Sequence, residues 1–125
     1  SAIDLAWSSV GQADVMANPY HMALLMGAIA NGGSTPEPYL TGGKSRTSYT
    51  LTDSSTAASL HSMMRNNVVN YYGELDDKNP NCWIVGFSED ESTPYAFAVC
   101  VQEGSSGLYT AGEVVSAALN AITGN

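Results

Sequence analysis

The sequence predicts an α+β fold on three observations. Apolar residues recur at helical spacing over Pro19–Ala30. Two short apolar runs, Cys82–Phe87 and residues 95–101, flank the polar, acidic stretch "SEDESTP" as the strands of a hairpin flank its turn. Helical patterns stand before and after that hairpin. The order helix, loop, helix, hairpin, helix is α+β, with helices packed on an antiparallel hairpin or sheet.

The elements follow in chain order. Asn18 and Pro19 read as N-cap and first helical residue, Met22, Leu25, Met26 and Ile29 form the apolar stripe, and Asn31-Gly32-Gly33 ends the helix because glycine accepts the left-handed conformation. Residues 34–48 are rich in Gly, Pro, Ser and Thr and read as a loop, extended at "TPEPYL" because a residue before proline avoids the helical region. A short strand is expected at 48–51. "LTDSSTAASLHSMMRNNVV" predicts a second helix, capped by Thr52, Asp53 or Ser54, with Ala57, Leu60, Met64 and Val68 on its buried face.

A hairpin centred on Glu91 places Phe87 opposite Tyr95, Val85 opposite Phe97, Trp83 opposite Val99 and Cys82 opposite Cys100. One face then carries Trp83, Val85, Phe87, Tyr95, Phe97 and Val99. The other carries Ile84, Gly86, Ala96 and Ala98, with the cysteines at its end, small enough for a helix to approach closely. Both faces are apolar, which predicts a sheet covered on both sides. Two strands alone are marginally stable, so the hairpin asks for neighbouring strands. "TAGEVVSAALNAITGN" predicts a last helix: Thr110 and Glu113 form a capping box, Val114, Val115, Ala118, Leu119 and Ile122 make its buried face, and Gly124 sits past its end.

The 125 residues are the length of one domain, enough to bury roughly two-thirds of the unfolded surface. Residues 1–125 are therefore read as one unit. Twelve acidic residues against four basic ones give a net charge of −8, which argues against nucleic acids and anionic membrane surfaces as partners. No apolar run approaches the roughly 20 residues of a membrane span. No secretory signal opens the chain. "SAIDLAWSSVGQ" lacks an initiator Met and starts in mid-pattern, as if cut from something longer.

The chemistry-bearing residues are few. A serine acyl-enzyme needs a base within reach of its hydroxyl. No Ser is followed by Lys three residues later. The nearest miss is Ser62-Met63-Met64-Arg65, and an arginine that stays protonated is no base. Ser-x-Asn is absent, and "GGKSRTS" at 42–48 lacks the Gly of a Lys-Thr-Gly strand, so it reads as a loop. "DKNPN" at 77–81 imitates the start of a calcium loop, but the sixth position is Cys82 and the twelfth is Ser88, so that reading fails. His21 and His61 have no sequence-local partner, and either would need a carboxylate brought to it by the fold. Cys82 and Cys100 are either a cross-strand disulfide or two buried thiols. No catalytic, cofactor-binding or metal-binding residue is assigned.

Three stretches together resemble one family. "VGQADVMANPYHMALLMGAIANGGSTPEPYL" is similar to the segment of penicillin-binding proteins that reads roughly Gly-Gln-Gly…Thr-Pro-Leu-Gln-Met-Ala…Ile-Ala-Asn-Gly-Gly…Pro-x-Leu. Gly11-Gln12, Asn18-Pro19, Met22-Ala23, Ile29-Ala30-Asn31-Gly32-Gly33, Pro38 and Leu40 match it. "TAASLHSMMRNNVV" resembles the helix that follows in that family, and "CWIVGFSEDESTPYAFAVCVQE" its closing strands.

The resemblance implies the C-terminal portion of a penicillin-binding transpeptidase-like domain. The intact family cross-links peptidoglycan by acyl transfer at D-Ala-D-Ala and is acylated by β-lactams. It acts at the extracytoplasmic face of the bacterial membrane, usually anchored there. Its chemistry rests on Ser-x-x-Lys, Ser-x-Asn and Lys-Thr/Ser-Gly. The first two precede the matched region. The third lies on a strand between the closing Val-Val and the Trp-x-x-Gly-Phe strand, where this chain has thirteen residues between Val69 and Trp83 and no such motif. The domain is therefore expected to be incomplete and inactive alone. Its expected partners are the remainder of such a domain or a second copy paired through sheet edges. The alternative is a non-catalytic acidic interaction module that keeps the scaffold.

Overall fold

A computed structural model describes residues 1–9, 16–38, 47–70, 81–104 and 106–124, with residues 66–70 described by backbone alone. The described residues form four α-helices and two small antiparallel sheets, a mixed arrangement consistent with α+β.

Helix α1 spans Ala2–Ser8 and was not expected from apolar periodicity. Its signal is local: Ser1 Oγ accepts the Asp4 amide at 3.2 Å, and Asp4 reaches back to the Ser1 backbone. Helix α2 spans Pro19–Ala30, as the sequence predicts. Asn18 is extended and its side chain accepts the Tyr20 amide at 2.8 Å. Gly32 and Gly33 follow with φ of 66° and 99°, and the Gly33 amide bonds back to the Ala28 carbonyl at 2.7 Å. Gly33 is also where the chain folds over itself: its carbonyl accepts the amides of Leu51 and Thr52. That contact sets β1 (Ser34–Pro36) beside β2 (Ser48–Thr50), with Thr35 opposite Tyr49.

Helix α3 spans Ser54–Asn70, and Asp53 is its cap. The Asp53 carboxylate accepts the Thr56 amide and hydroxyl, each at 2.8 Å, and the Ser55 hydroxyl. Of the expected buried face, Ala57 is buried and Met64 half-buried, but Leu60 is exposed. The side chain of Val68 lies outside the described residues, as do the first four residues of "DKNPN" (77–80), residues 42–46 of the Gly-Lys loop, Gly11, Gln12 and Leu40.

Strands β3 (Cys82–Phe87) and β4 (Ala96–Val101) form the expected hairpin in a different register. Cys82 pairs with Val101, Trp83 with Cys100, Ile84 with Val99, Val85 with Ala98, Gly86 with Phe97 and Phe87 with Ala96. The turn explains the shift. The Thr93 amide bonds to the Asp90 carbonyl at 3.0 Å, making Glu91 and Ser92 the two central residues, so the hairpin is centred between them and not on Glu91. The Asp90 carboxylate fixes this turn by accepting the Ser92 amide and hydroxyl. Because both faces of the hairpin are apolar, the hydrophobic pattern did not choose between the two registers.

The register re-sorts the faces. Cross-strand partners share a face, so one carries Cys82, Ile84, Gly86, Phe97, Val99 and Val101, and the other Trp83, Val85, Phe87, Ala96, Ala98 and Cys100. Cys82 and Cys100 stand on opposite faces, and neither forms a disulfide. Each face is partly covered by a neighbouring element. On the second, Gly27 of α2 approaches Ala96 so closely that an added Cβ would lie 3.6 Å from the Ala96 Cβ. On the first, an added Cβ at Gly112 would lie 3.9 Å from Ile84 Cδ1, and the Phe97 ring covers Gly86.

The last helix begins differently from the capping-box expectation. A five-residue π-helical segment, Gly107–Ala111, runs straight into α4 (Gly112–Thr123). Ser106 caps it, accepting the Tyr109 amide at 3.4 Å, while Thr110 Oγ1 accepts the Ser106 amide at 3.3 Å. Thr110 already sits inside the helical rise, and its hydroxyl accepts from behind it, from the Ser106 amide. Gly124 closes α4 with φ 75°. Of the expected buried face only Val115 is buried; Leu119 is half-buried, and Val114, Ala118 and Ile122 are exposed.

Candidate functional site

Helical spacing sets His61 and Arg65, four residues apart on α3, on one face. That face meets the end of β3. The imidazole of His61 stacks on Phe87 with ring centroids 4.9 Å apart and planes tilted by 35°. Its Nε2 lies 3.5 Å from Glu89 Oε1, and Arg65 Nη1 lies 3.8 Å from the same oxygen. The Glu89 backbone leaves β3 where the Ser88 amide still bonds to the Tyr95 carbonyl, so the start of the turn that carries Glu89 is tied to the hairpin.

Among the described residues the structure thus brings a carboxylate to His61 and none to His21. His21 lies exposed in the first turn of α2, its ring 5.9 Å from that of Tyr20. Arg65, the residue that spoils the Ser-x-x-Lys pattern, is drawn to Glu89. Sequence spacing alone hid the cluster, since His61 on α3 and Glu89 just past β3 lie far apart in the chain and meet only in the fold.

A His–carboxylate pair can orient an imidazole and hold a proton, but acyl transfer also needs a nucleophile against it. Several hydroxyls on α3 and the hairpin turn have other partners. Ser55 bonds to Asp53 and Ser59 to the Ser55 carbonyl. Ser88 Oγ accepts the Asp90 amide at 3.1 Å and lies 3.4 Å from Thr93 Oγ1. The cluster is also open to water, with Glu89 half exposed. It joins α3 to the end of the hairpin through the Phe87 ring and the Glu89 carboxylate. Among the described residues no group of three His, Cys, Asp or Glu side chains is placed to hold a metal ion.

The larger feature is apolar surface. Ile3, Leu5 and Trp7 of α1 and Val114 and Ile122 of α4 are all exposed. Among the described residues β3 and β4 pair only with each other, so each has one edge without a strand neighbour. No described helix is long and apolar enough to cross a membrane. No family model, no characterised protein and no solved structure matches the chain.

Proposed function

We propose that the chain is the C-terminal part of a penicillin-binding transpeptidase-like domain, without catalytic activity of its own. The observation that carries this reading is the three-layer arrangement of the hairpin, with α2 on one face and the π segment and α4 on the other. The residues that carry the resemblance lie at the ends of α2 and on the hairpin. Asn18-Pro19 opens α2, Asn31-Gly32-Gly33 closes it, and Trp83, Gly86 and Phe87 lie on β3.

Within such a domain the open strand edges and the exposed faces of α1 and α4 are where the remainder packs. Its place is the extracytoplasmic face of a bacterial membrane, and its ligands are peptidoglycan stem peptides and β-lactams, bound only by the completed domain. Residues 71–80, where the family carries its Lys-Thr-Gly strand, lie outside the described residues.

The test is covalent labelling. Incubated with a fluorescent penicillin, the isolated chain takes up no label; a labelled band would overturn the proposal. The second reading, an acidic interaction module, draws on the same exposed apolar surface. Light scattering on the purified chain separates the two. A stable, well-folded monomer supports an autonomous module, and aggregation or edge pairing supports a part that lacks its remainder.

A further inference from the structure

Asn31-Gly32 is the one place in the sequence where asparagine precedes glycine. It falls where α2 ends: Asn31 is the C-cap, and Gly32 follows with φ 66°. Both residues are exposed. The Asn31 amide bonds to the Gly27 carbonyl and the Gly33 amide to the Ala28 carbonyl, but among the described residues no backbone carbonyl takes the Gly32 amide between them. We propose that Asn31 is a site of spontaneous deamidation, and that the conversion undoes the exit of α2 toward β1. This rests on the α2 exit alone and holds whether or not the chain belongs to a transpeptidase-like domain.

Asparagine is a chemically labile side chain, and the step needs only water besides the chain itself. The Gly32 nitrogen attacks Asn31 Cγ and a C–N bond forms. The Cγ–Nδ2 bond breaks, and ammonia leaves with the proton of the Gly32 amide. Water then adds at either carbonyl of the cyclic imide and leaves aspartate or isoaspartate. Gly32 puts no side chain beside the attacking nitrogen, and the space where one would stand is open.

The fold restrains the reaction. Asn31 has ψ 34°, which turns the Gly32 nitrogen away from the Asn31 side chain. Asn31 Nδ2 also donates to the Ser34 carbonyl at 3.1 Å, tying the end of α2 to the start of β1. Ring closure needs that bond released and ψ rotated, so it proceeds through local opening of the α2 exit.

The product cannot restore the tie. A carboxylate has no proton to give the Ser34 carbonyl, and it sets a negative charge at the helix end where carbonyls already point. Isoaspartate also lengthens the main chain just before Gly33, which bonds to Ala28, Leu51 and Thr52.

The full chain, aged in mildly alkaline buffer with and without urea, tests this by peptide mapping with mass detection. Asn31 should convert first among the asparagines, and more slowly in the folded chain than in urea. In urea Gly32→Ala should slow the conversion, because a methyl group then stands beside the attacking nitrogen. Asn31→Asp, an exposed change that should fold, should raise the unfolding equilibrium constant roughly two- to fivefold, the effect of a like-signed charge at a helix end. No conversion at Asn31 in urea, or a folded chain that converts as fast as the unfolded one, overturns the proposal. So does an unslowed Gly32→Ala chain, or an Asn31→Asp chain with unchanged stability.

Discussion

Trp83 stands opposite Cys100 in the β3–β4 ladder, which leaves Cys82 opposite Val101 and turns the two thiols to opposite faces of the sheet. Air oxidation of the folded chain should therefore leave both cysteines reactive. Thiol titration after unfolding without reductant should count two thiols per chain. An intramolecular disulfide would restore the Glu91-centred register.

The crossing at Gly33 predicts a strong asymmetry between neighbouring glycines. Gly32→Ala meets open space and bears only the left-handed backbone, about 1–2 kcal/mol. Gly33→Ala carries the same kind of strain at φ 99° and also drives a Cβ into the Thr52 carbonyl, so it should cost clearly more. Urea unfolding of the two variants checks the order; equal losses would mean that Gly33 and Thr52 are not in contact.

Asp53 sets an acid limit on α3. Hydrogen bonds from the Ser55 hydroxyl and from the Thr56 amide and hydroxyl hold its carboxyl well below the ordinary carboxylate range. A carboxylate depressed in the folded state contributes stability above its unfolded value of about 3.9 and loses it as pH falls below that. Asp90, held down by the Ser92 hydroxyl and amide, acts in the same direction. Asp53→Asn should be less stable than the natural chain at pH 6, and the gap should narrow as pH falls through 4 toward 2. Urea midpoints across that range check it; a constant gap would separate Asp53 from the acid response.

The cap of the last helix is Ser106 and not Thr110. Ser106→Ala should destabilise the chain by about 0.5–1 kcal/mol, the low end for an N-cap because the bond to Tyr109 is long at 3.4 Å. The loss should appear as faster amide exchange at Tyr109. Glu113→Gln should have no effect there, since Ser106 rather than a Thr110–Glu113 capping box holds the start of the helix. Faster exchange at Tyr109 in Glu113→Gln would reinstate the box.

Much of the fold was legible because local signals and packing agree. The bounds of α2, its Asn18 cap and its Gly32-Gly33 stop follow from short-range rules, as do the Asp53 cap and the span of β3. The errors lie where local rules were silent or ambiguous. The hairpin register turned on one residue of turn geometry, because apolar residues on both faces removed the alternation that pins a register. The buried face of α4 was overcalled because Val114 and Ile122 are apolar without a covering element among the described residues. Helix α1 was not read from the sequence, although Ser1 and Asp4 carry its capping box and Ile3, Ala6 and Trp7 stand at helical spacing. The His61–Glu89–Arg65 cluster was illegible, since it joins residues 24 to 28 positions apart that meet only in the fold.

The central claim is that the chain is part of a penicillin-binding transpeptidase-like domain, and the encoding reading frame tests it most directly. Sequencing the gene upstream of the Ser1 codon should find Ser-x-x-Lys followed by Ser-x-Asn in the same frame. An upstream frame with neither motif would contradict the claim and leave an acidic interaction module as the better reading.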